Sequence, residues 1–173
     1  MKTMTHRLIH FTAAACAALT LVSTAHAVDL RSWDQKINQA SKRFVVLPAF
    51  GSQAVLDKET QLVWHRRASL TARNWHDSRD ICLTSDVGGR SGWRLPTYIE
   101  LATLFSDGRI LPEGHPFAGI PDNQYFWSST TSQTDSASAY SLRLSPGKHT
   151  WQQPKAANAQ RLCVRGAGSP DGS

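Results

Sequence analysis

The residues best suited to ligand chemistry lie late in the chain, in a basic stretch around one tryptophan. No acidic residue occurs from residue 143 to residue 165. This stretch contains Trp151 and the following basic residues: Arg143, Lys148, His149, Lys155, Arg161 and Arg165. Guanidinium and ammonium groups beside an aromatic ring suit sulfated, phosphorylated or otherwise anionic glycans. The same residues are also typical of a solvated basic face, and the sequence leaves both interpretations open.

A second candidate site lies at the end of the segment 108–123, which is rich in glycine and proline. Such a segment cannot hold regular structure for long, and long irregular loops often carry binding residues. Asp122 and Asn123 lie at its end, beside Tyr125. Their side-chain oxygens suit an ion or a sugar hydroxyl, but this pair of residues is also common in simple turns.

No residue pattern predicts catalysis or a metal site. The hydroxyls of Ser128, Ser129 and Thr130 have no histidine and aspartate at a spacing typical of a hydrolase. The histidines are scattered and form no metal-binding motif: His65, His76, His115 and His149. We therefore expect no enzyme activity and no cofactor, although a metal site assembled in space remains an alternative.

Residues 1–27 have the pattern of a secretory signal peptide. Lys2 and Arg7 precede an apolar run, and a small-residue cleavage site ends at Ala27. A lipoprotein signal at Cys16 is the weaker alternative, because Cys16 lies inside the apolar run. Cleavage after Ala27 takes 27 residues from 173, leaving 146, and lowers the net charge from +6 to +4 by removing two basic residues. The mature protein is then periplasmic or secreted.

The remaining chain predicts one domain without a membrane span. It has no second apolar run near the ~20 residues that a spanning helix needs. Export separates the protein from nucleic acid, and no nucleic-acid motif occurs. With 40% hydrophobic and 18% charged residues, the chain suits one compact domain. We place an N-terminal leader at 28–43, the domain at 44–166 and a flexible tail at 167–173.

Two cysteines, Cys82 and Cys163, remain after signal cleavage. In an oxidising compartment such a pair predicts a disulfide bond. Two buried thiols are the alternative. Metal-thiolate chemistry is not indicated, because no Cys-x-x-Cys pair occurs.

The apolar pattern predicts strands, then two helices, a long loop and further strands. The predicted strands are 44–47, 54–56, 62–64, 125–130, 140–144, 150–152 and 161–165. The predicted helices are one starting at Thr71 or Asn74 and ending near Leu83, one from residue 98 to about Asp107, and a shorter one from Ser32 to Arg43. This order predicts an α+β fold rather than alternating βαβ units.

The stretch Trp93-Arg94-Leu95-Pro96-Thr97 leads into the second helix. Thr97 is a favoured N-cap residue, and Glu100 completes a capping box. Trp93, Arg94 and Trp127 either contact a ligand or pack in the core, with Arg94 satisfied by nearby carbonyls.

Four segments together resemble the Lcl C-terminal domain family of bacterial exported proteins. They are DKETQLVW at 57–64, GWRLPT at 92–97 with Glu100 and Leu101, FWSST at 126–130, and RLCVR at 161–165. The resemblance covers roughly residues 45–166. Gln61 departs from it, because the family usually has glycine there, and a turn with positive φ would be strained.

The resemblance implies a C-type lectin-like fold with two helices, short mostly antiparallel strands and a long irregular loop. In that fold a disulfide joins the first helix to the last strand, and Cys82 and Cys163 lie at those places. The calcium-binding triplets of animal lectins are absent from the sequence. The resemblance therefore implies a lectin-like fold without calcium-dependent sugar binding.

These observations predict an exported, non-catalytic binding module of adhesin type, for anionic glycans or envelope polysaccharide. One alternative is an enzyme similar to the formylglycine-generating enzymes, which also carry an RLPT segment but need two reactive cysteines near the C-terminus. The other alternative is a protein-binding subunit of an envelope assembly.

Overall fold

The computed structural model describes residues 37–69, 71–104, 111–120, 123–143 and 149–166. The predicted signal peptide, most of the predicted leader and the predicted tail lie outside the described residues. Asp122 and Lys148 also lie outside them, and of His149 only the backbone is described. The structure therefore bears on the predicted domain and on the other candidate residues.

The described part of the chain has an α+β fold with short helices and two antiparallel sheets, as predicted. Its helices are α1 (Ala40–Arg43), α2 (Trp75–Leu83) and α3 (Tyr98–Thr103). Its strands are β1 (Phe44–Val46), β2 (Ala54–Asp57), β3 (Leu62–His65), β4 (Tyr125–Thr131), β5 (Ser138–Arg143), β6 (His149–Pro154) and β7 (Val164–Gly166). Single 3₁₀ turns lie at Pro48–Phe50 and Val87–Gly89.

The first sheet has the order β1-β2-β3-β7, and each neighbouring pair is antiparallel. β2 and β3, which contain the strands predicted at 54–56 and 62–64, form an antiparallel hairpin in which the buried Val55 pairs with the buried Trp64. Gln61 precedes β3 with a φ of 59°. This is the left-handed region that glycine adopts most easily, so the strain predicted for this turn is present.

The second sheet has the order β4-β5-β6, and its strands are longer than predicted. β5 begins at Ser138 instead of Tyr140, so the connection between β4 and β5 is shorter than predicted. β6 continues to Pro154 and pairs Gln153 with Ala139. Ser138 and Gln153 lie in strands although they are polar, because the backbone makes the hydrogen bonds between strands. The strand preference of a side chain is therefore a weak guide to where a strand begins or ends.

The last strand begins later than predicted, at Val164 instead of residue 161. The residues just before it are bonded elsewhere: Gln160 bridges to Phe126 of β4, and Ala159 bridges to Arg73. The chain therefore passes from the second sheet to the first before β7 begins. A local pattern cannot show this change of partner.

Both main helices begin at side-chain caps. The Asn74 side chain accepts a hydrogen bond from the backbone N–H of Asp77 at the start of α2. At the start of α3, Thr97 and Glu100 form the predicted capping box, which satisfies two N–H groups that no helical carbonyl can reach. α3 ends at Thr103, earlier than predicted, and the Thr103 carbonyl accepts a hydrogen bond from Arg43.

Residues 93–97 connect the two sheets. Arg94 and Val164 of β7 exchange two backbone hydrogen bonds of 2.9 Å each. The Pro96 carbonyl accepts a 2.7 Å hydrogen bond from Ser129 of β4. Trp93 and Leu95 are buried between these contacts. The segment therefore pairs with one strand of each sheet and fills the core with its side chains.

The disulfide Cys82–Cys163 is present, with a Cα–Cα distance of 5.6 Å. Cys82 is fully buried, and Cys163 is 2% exposed. They pack with Trp93, Trp127 and Leu95 in one core cluster. The bridge joins α2 to the segment that leads into β7, so it closes a loop covering much of the domain.

A buried ion pair holds α1 against the β2–β3 hairpin. Arg43 donates to both carboxylate oxygens of Asp57, at 2.9 and 2.7 Å. Asp57 also accepts hydrogen bonds from the Glu59 N–H and the Thr60 hydroxyl. The side chains of Arg43 and Asp57 are 3% and 0% exposed. Arg43, which the sequence assigned to the leader, thus lies inside the core.

We predict that Asp57→Asn lowers the free energy of unfolding by about 3 kcal/mol, because it leaves a buried guanidinium with less compensation. The Glu59 carboxylate lies 3.4 Å from the Arg43 guanidinium and still offsets part of its charge. We therefore expect a loss near the lower end of those seen when one partner of a buried ion pair is removed. Asp80→Asn is the matched control. Its pair with Arg79 is exposed, so it should change the free energy by about 0–1 kcal/mol. Equal effects in urea unfolding would contradict the importance of the buried pair.

Reduction of the disulfide should lower the free energy of unfolding by about 4–5 kcal/mol on the chain-entropy model, since the cysteines are 81 positions apart. Tryptophan fluorescence during urea unfolding, with and without reductant, measures this. A variant with both cysteines changed to alanine should be insensitive to reductant. Identical unfolding midpoints for the oxidised and reduced wild type would show that the bridge adds no stability.

Candidate functional site

The second sheet presents a partly exposed group that we call the aromatic patch: Tyr125, Arg143 and Trp151. Tyr125 pairs with Arg143 across β4 and β5, and Trp151 of β6 pairs with Ser141. Because side chains alternate along strands, all three lie on one face of the sheet. The Tyr125 and Trp151 ring centroids are 6.4 Å apart, and the Arg143 guanidinium carbon is 5.9 Å from the Tyr125 ring. Trp151 is 56% exposed.

The structure separates Lys155 from this patch. Lys155 lies beyond the opposite end of β6 from His149, and its ammonium is 4.6 Å from the centre of a Trp75 ring. It also donates to the Ser136 carbonyl at 2.9 Å. Asn123 is exposed with a φ of 61°, as expected for the turn interpretation. The predicted set is therefore not one compact cluster in the described residues.

The residues of the WRLPT stretch make structural contacts. The indole N–H groups of Trp93 and Trp127 donate to the carbonyls of Arg90 and Arg73, at 2.7 and 2.9 Å. Both tryptophans are fully buried. These contacts favour the core interpretation of the two residues over direct ligand binding.

Arg94 pairs with a carboxylate, which the sequence interpretation did not include. Its guanidinium donates to both oxygens of Glu100, at 2.7 and 2.6 Å, and to the Leu95 carbonyl at 3.2 Å. Hydrogen bonding to Glu100 raises the pKa of Arg94. Burial alone would raise the pKa of Glu100, but hydrogen bonds from Arg94 and Thr97 outweigh it and the pKa is lowered. The pair thus stays charged and supports the start of α3.

A cleft of about 620 Å³ lies beside the first sheet, and the sequence did not predict it. It is formed by the end of β3, the turn after α2, the segment around Ala118 and the segment before β7. Its lining residues are Ser52, Gln53, His65, Arg66, Arg67, Ala68, Ser69, Ile81, Ser85, Val87, Ala118, Arg161 and Cys163. We call it the arginine cleft, after its three arginines. The sequence signal that could have indicated this cleft is the pair Arg66 and Arg67, which directly follows β3.

His65 occupies a partly buried position in this cleft. Its backbone N–H donates to the Cys163 carbonyl at 2.9 Å, and its ring lies 4.4 Å from a Trp93 ring centroid. Nε2 of His65 is 3.1 Å from the Ser85 hydroxyl. That hydroxyl oxygen also accepts a 3.4 Å hydrogen bond from the Val87 N–H. This arrangement favours the hydroxyl as the donor to an unprotonated Nε2.

Burial, followed by repulsion from Arg161, lowers the pKa of His65 to about 4. His65 is therefore neutral at pH 7 and is a weak base. A general base works best when its pKa is near the working pH. In the described residues no carboxylate hydrogen-bonds to His65, and no group of three or more His, Cys, Asp or Glu side chains is arranged to hold a metal ion. The His65–Ser85 contact thus suits hydrogen bonding better than nucleophilic catalysis.

The lowered pKa of His65 predicts how the stability of the protein depends on pH. The unfolded state, with a histidine pKa near 6.5, binds more protons than the folded state between pH 6.5 and about 4. Stability should therefore fall as pH falls through this window. His65→Gln should remove part of that fall, whereas the exposed His76→Gln should keep it. Urea unfolding at pH 4.5 and 7.5 measures the difference, and parallel losses in all three proteins would contradict it.

Comparison with known proteins identifies the domain. The family model of the Lcl C-terminal domain matches residues 53–165, which is more than half of the chain. A search of curated proteins finds no match. The described residues contain no helix long and apolar enough to cross a membrane. The matched range includes β3, α2, the WRLPT stretch, α3 and both disulfide cysteines, and so the chain belongs to the Lcl C-terminal domain family.

Proposed function

We propose that this chain is an exported, non-catalytic binding domain for an anionic polysaccharide, in the cell envelope or outside the cell. Its signal peptide is cleaved near Ala27, and the mature protein acts in adhesion through the aromatic patch. The proposal includes a C-type lectin-like arrangement of the domain. An α+β fold with a disulfide from the first long helix to the segment before the last strand supports that arrangement.

The aromatic patch, with its exposed Trp151, is the observation that carries the proposal. Adjoining exposed apolar groups mark interaction sites better than an isolated residue does, and Trp151, more than half exposed, adjoins the half-buried Tyr125 ring. Its flat face suits the apolar side of a sugar ring, as aromatic side chains supply rigid contact area. Arg143 lies on the same face and supplies a planar donor group for sulfate or carboxylate.

The overall charge favours the same class of ligand. The chain carries a net charge of +6, or +4 after the predicted cleavage. A positive field attracts polyanions over long distances and raises the rate of encounter. Export from the cytoplasm, which a disulfide between Cys82 and Cys163 favours, brings such a surface to polysaccharides rather than nucleic acids.

The enzyme alternative loses support from the cysteines. A catalyst of the formylglycine-generating type needs two reactive thiols. Cys82 and Cys163 are joined to each other and are buried, so neither is a free thiol in this state. Mass spectrometry after alkylation tests this point, and two alkylated cysteines in the native protein would favour the enzyme instead.

We predict that Arg143→Gln and Trp151→Ala each weaken binding to a sulfated polysaccharide such as heparin by about tenfold, or about 1.4 kcal/mol. Added salt should also weaken it, because salt screens the attraction between the partly exposed Arg143 and the polyanion. Lys148→Ala and Lys155→Ala test the rest of the basic stretch in the same assay. Biolayer interferometry on immobilised heparin measures all four variants.

Lys42→Gln is the control, because it removes one exposed positive charge outside the patch. It should change the affinity by less than twofold. The absence of binding to any polyanion at low salt would reject the proposal. Capture of a membrane protein by the wild type and by the patch variants alike would favour the envelope-assembly alternative.

A further inference from the structure

We propose that the arginine cleft is a second binding site, for one sugar-sized organic anion that carries a carboxylate group. The ligand is a uronic acid, either free or at the end of a chain. This site shares no residue with the aromatic patch and is built beside the first sheet. It extends the proposed function without depending on it.

The size of the cleft fits a small molecule. Pockets for small ligands usually measure ≈ 300–1,000 Å³, and this cleft measures about 620 Å³. Its walls combine apolar surface from Ile81, Val87 and Ala118 with several polar side chains. Mixed lining of this kind is typical of ligand sites, where a few polar groups orient the ligand.

The charge of the cleft is not balanced within the described chain. Arg66 donates to the carbonyls of Pro116 and Ser52, at 3.1 and 3.3 Å. Arg161 donates to the Thr71 carbonyl at 3.2 Å. Neutral carbonyls thus orient these guanidinium groups without cancelling their charge. No aspartate or glutamate occurs among the described residues that line the cleft.

A neighbouring arginine adds to the positive potential. Burial and repulsion from Arg73 lower the pKa of Arg161. Repulsion between like charges costs free energy, and an anion bound beside Arg161 would relieve it. The guanidinium geometry favours a planar carboxylate, with which arginine forms two parallel hydrogen bonds.

The neutral polar groups favour a sugar over a simple ion. Ser52, Ser69 and Gln53 line the cleft together with the His65–Ser85 pair. Hydroxyl and amide groups can both donate and accept hydrogen bonds, which matches the hydroxyl groups of a sugar ring. His65 is neutral at pH 7 and adds no further charge.

Backbone contacts hold the cleft in shape. Arg67 and Ala118 form a parallel bridge, with hydrogen bonds of 3.0 Å from the Ala68 N–H to the Ala118 carbonyl and 2.8 Å from the Ala118 N–H to the Arg66 carbonyl. The disulfide-bonded Cys163 also lines the cleft. A preformed site loses little conformational freedom when a ligand binds.

Isothermal titration calorimetry with glucuronate tests the site, and glucose and inorganic sulfate at equal ionic strength serve as comparison ligands. We expect glucuronate to bind at least tenfold more tightly than either. The double variant Arg67→Gln, Arg161→Gln should weaken glucuronate binding at least tenfold. Arg67→Gln alone should weaken it severalfold, and because the Arg67 side chain is exposed this variant should fold normally.

An independent readout comes from NMR of the His65 ring. Saturating glucuronate should raise the pKa of His65 above about 4, because a bound anion favours the protonated ring. The control Lys42→Gln and the patch variant Trp151→Ala should both retain glucuronate binding. Equal affinity for glucose or sulfate, or unchanged binding in the double variant, overturns the proposal. If the patch variants lose heparin binding but retain glucuronate binding, the result bears on the proposed function only and does not affect the proposal for the cleft.

A longer ligand distinguishes the two sources of the anion. An oligosaccharide that ends in a uronic acid should compete with glucuronate if the site accepts chain ends. An equivalent oligosaccharide with a neutral end should not compete. Competition by both oligosaccharides would show that charge at the end is not recognised, and would overturn the assignment of a carboxylate site.

Discussion

Residues 93–97 join the two sheets of this domain, and their backbone is hydrogen-bonded to both. The Arg94 backbone is bonded to Val164 in the first sheet, and the Pro96 carbonyl is bonded to Ser129 in the second. Buried backbone groups need such partners, because an unpaired one is costly away from water. The same segment buries Trp93 and ends at the Thr97 cap of α3. The motif that identifies the family is therefore the structural joint of the fold.

Both candidate binding surfaces rest on this rigid frame. Tyr125 and Trp151 project from strands whose backbones are hydrogen-bonded to their neighbours. His65 ends a central strand of the first sheet and packs on Trp93 of the joint. The disulfide at Cys163 lies in the same core cluster as Trp93. Ligand contacts on such elements require little ordering on binding, which leaves more of the interaction energy for affinity.

Arginine has two different roles in this domain, and its partners distinguish them. Arg43 and Arg94 make two-point contacts with Asp57 and Glu100, so their charges are balanced and their role is structural. Arg66 and Arg161 of the cleft donate instead to neutral carbonyl oxygens, which leave their charge unbalanced. Arginine content alone cannot separate these roles, because pairing depends on which acidic residue lies nearby in space.

The sequence by itself determined the features that depend on near neighbours: the Thr97–Glu100 capping box, the β2–β3 hairpin, the α+β order and the family. It also indicated the disulfide, since only two cysteines follow the predicted signal peptide. Only the tertiary structure decided the late start of β7 at Val164, the separation of Lys155 from the aromatic patch, and the arginine cleft. The physical reason is one of distance along the chain. Caps and apolar periodicity depend on residues within a few positions of each other. The cleft instead contains Arg66 and Arg161, which are far apart in the sequence and come together only through strand pairing.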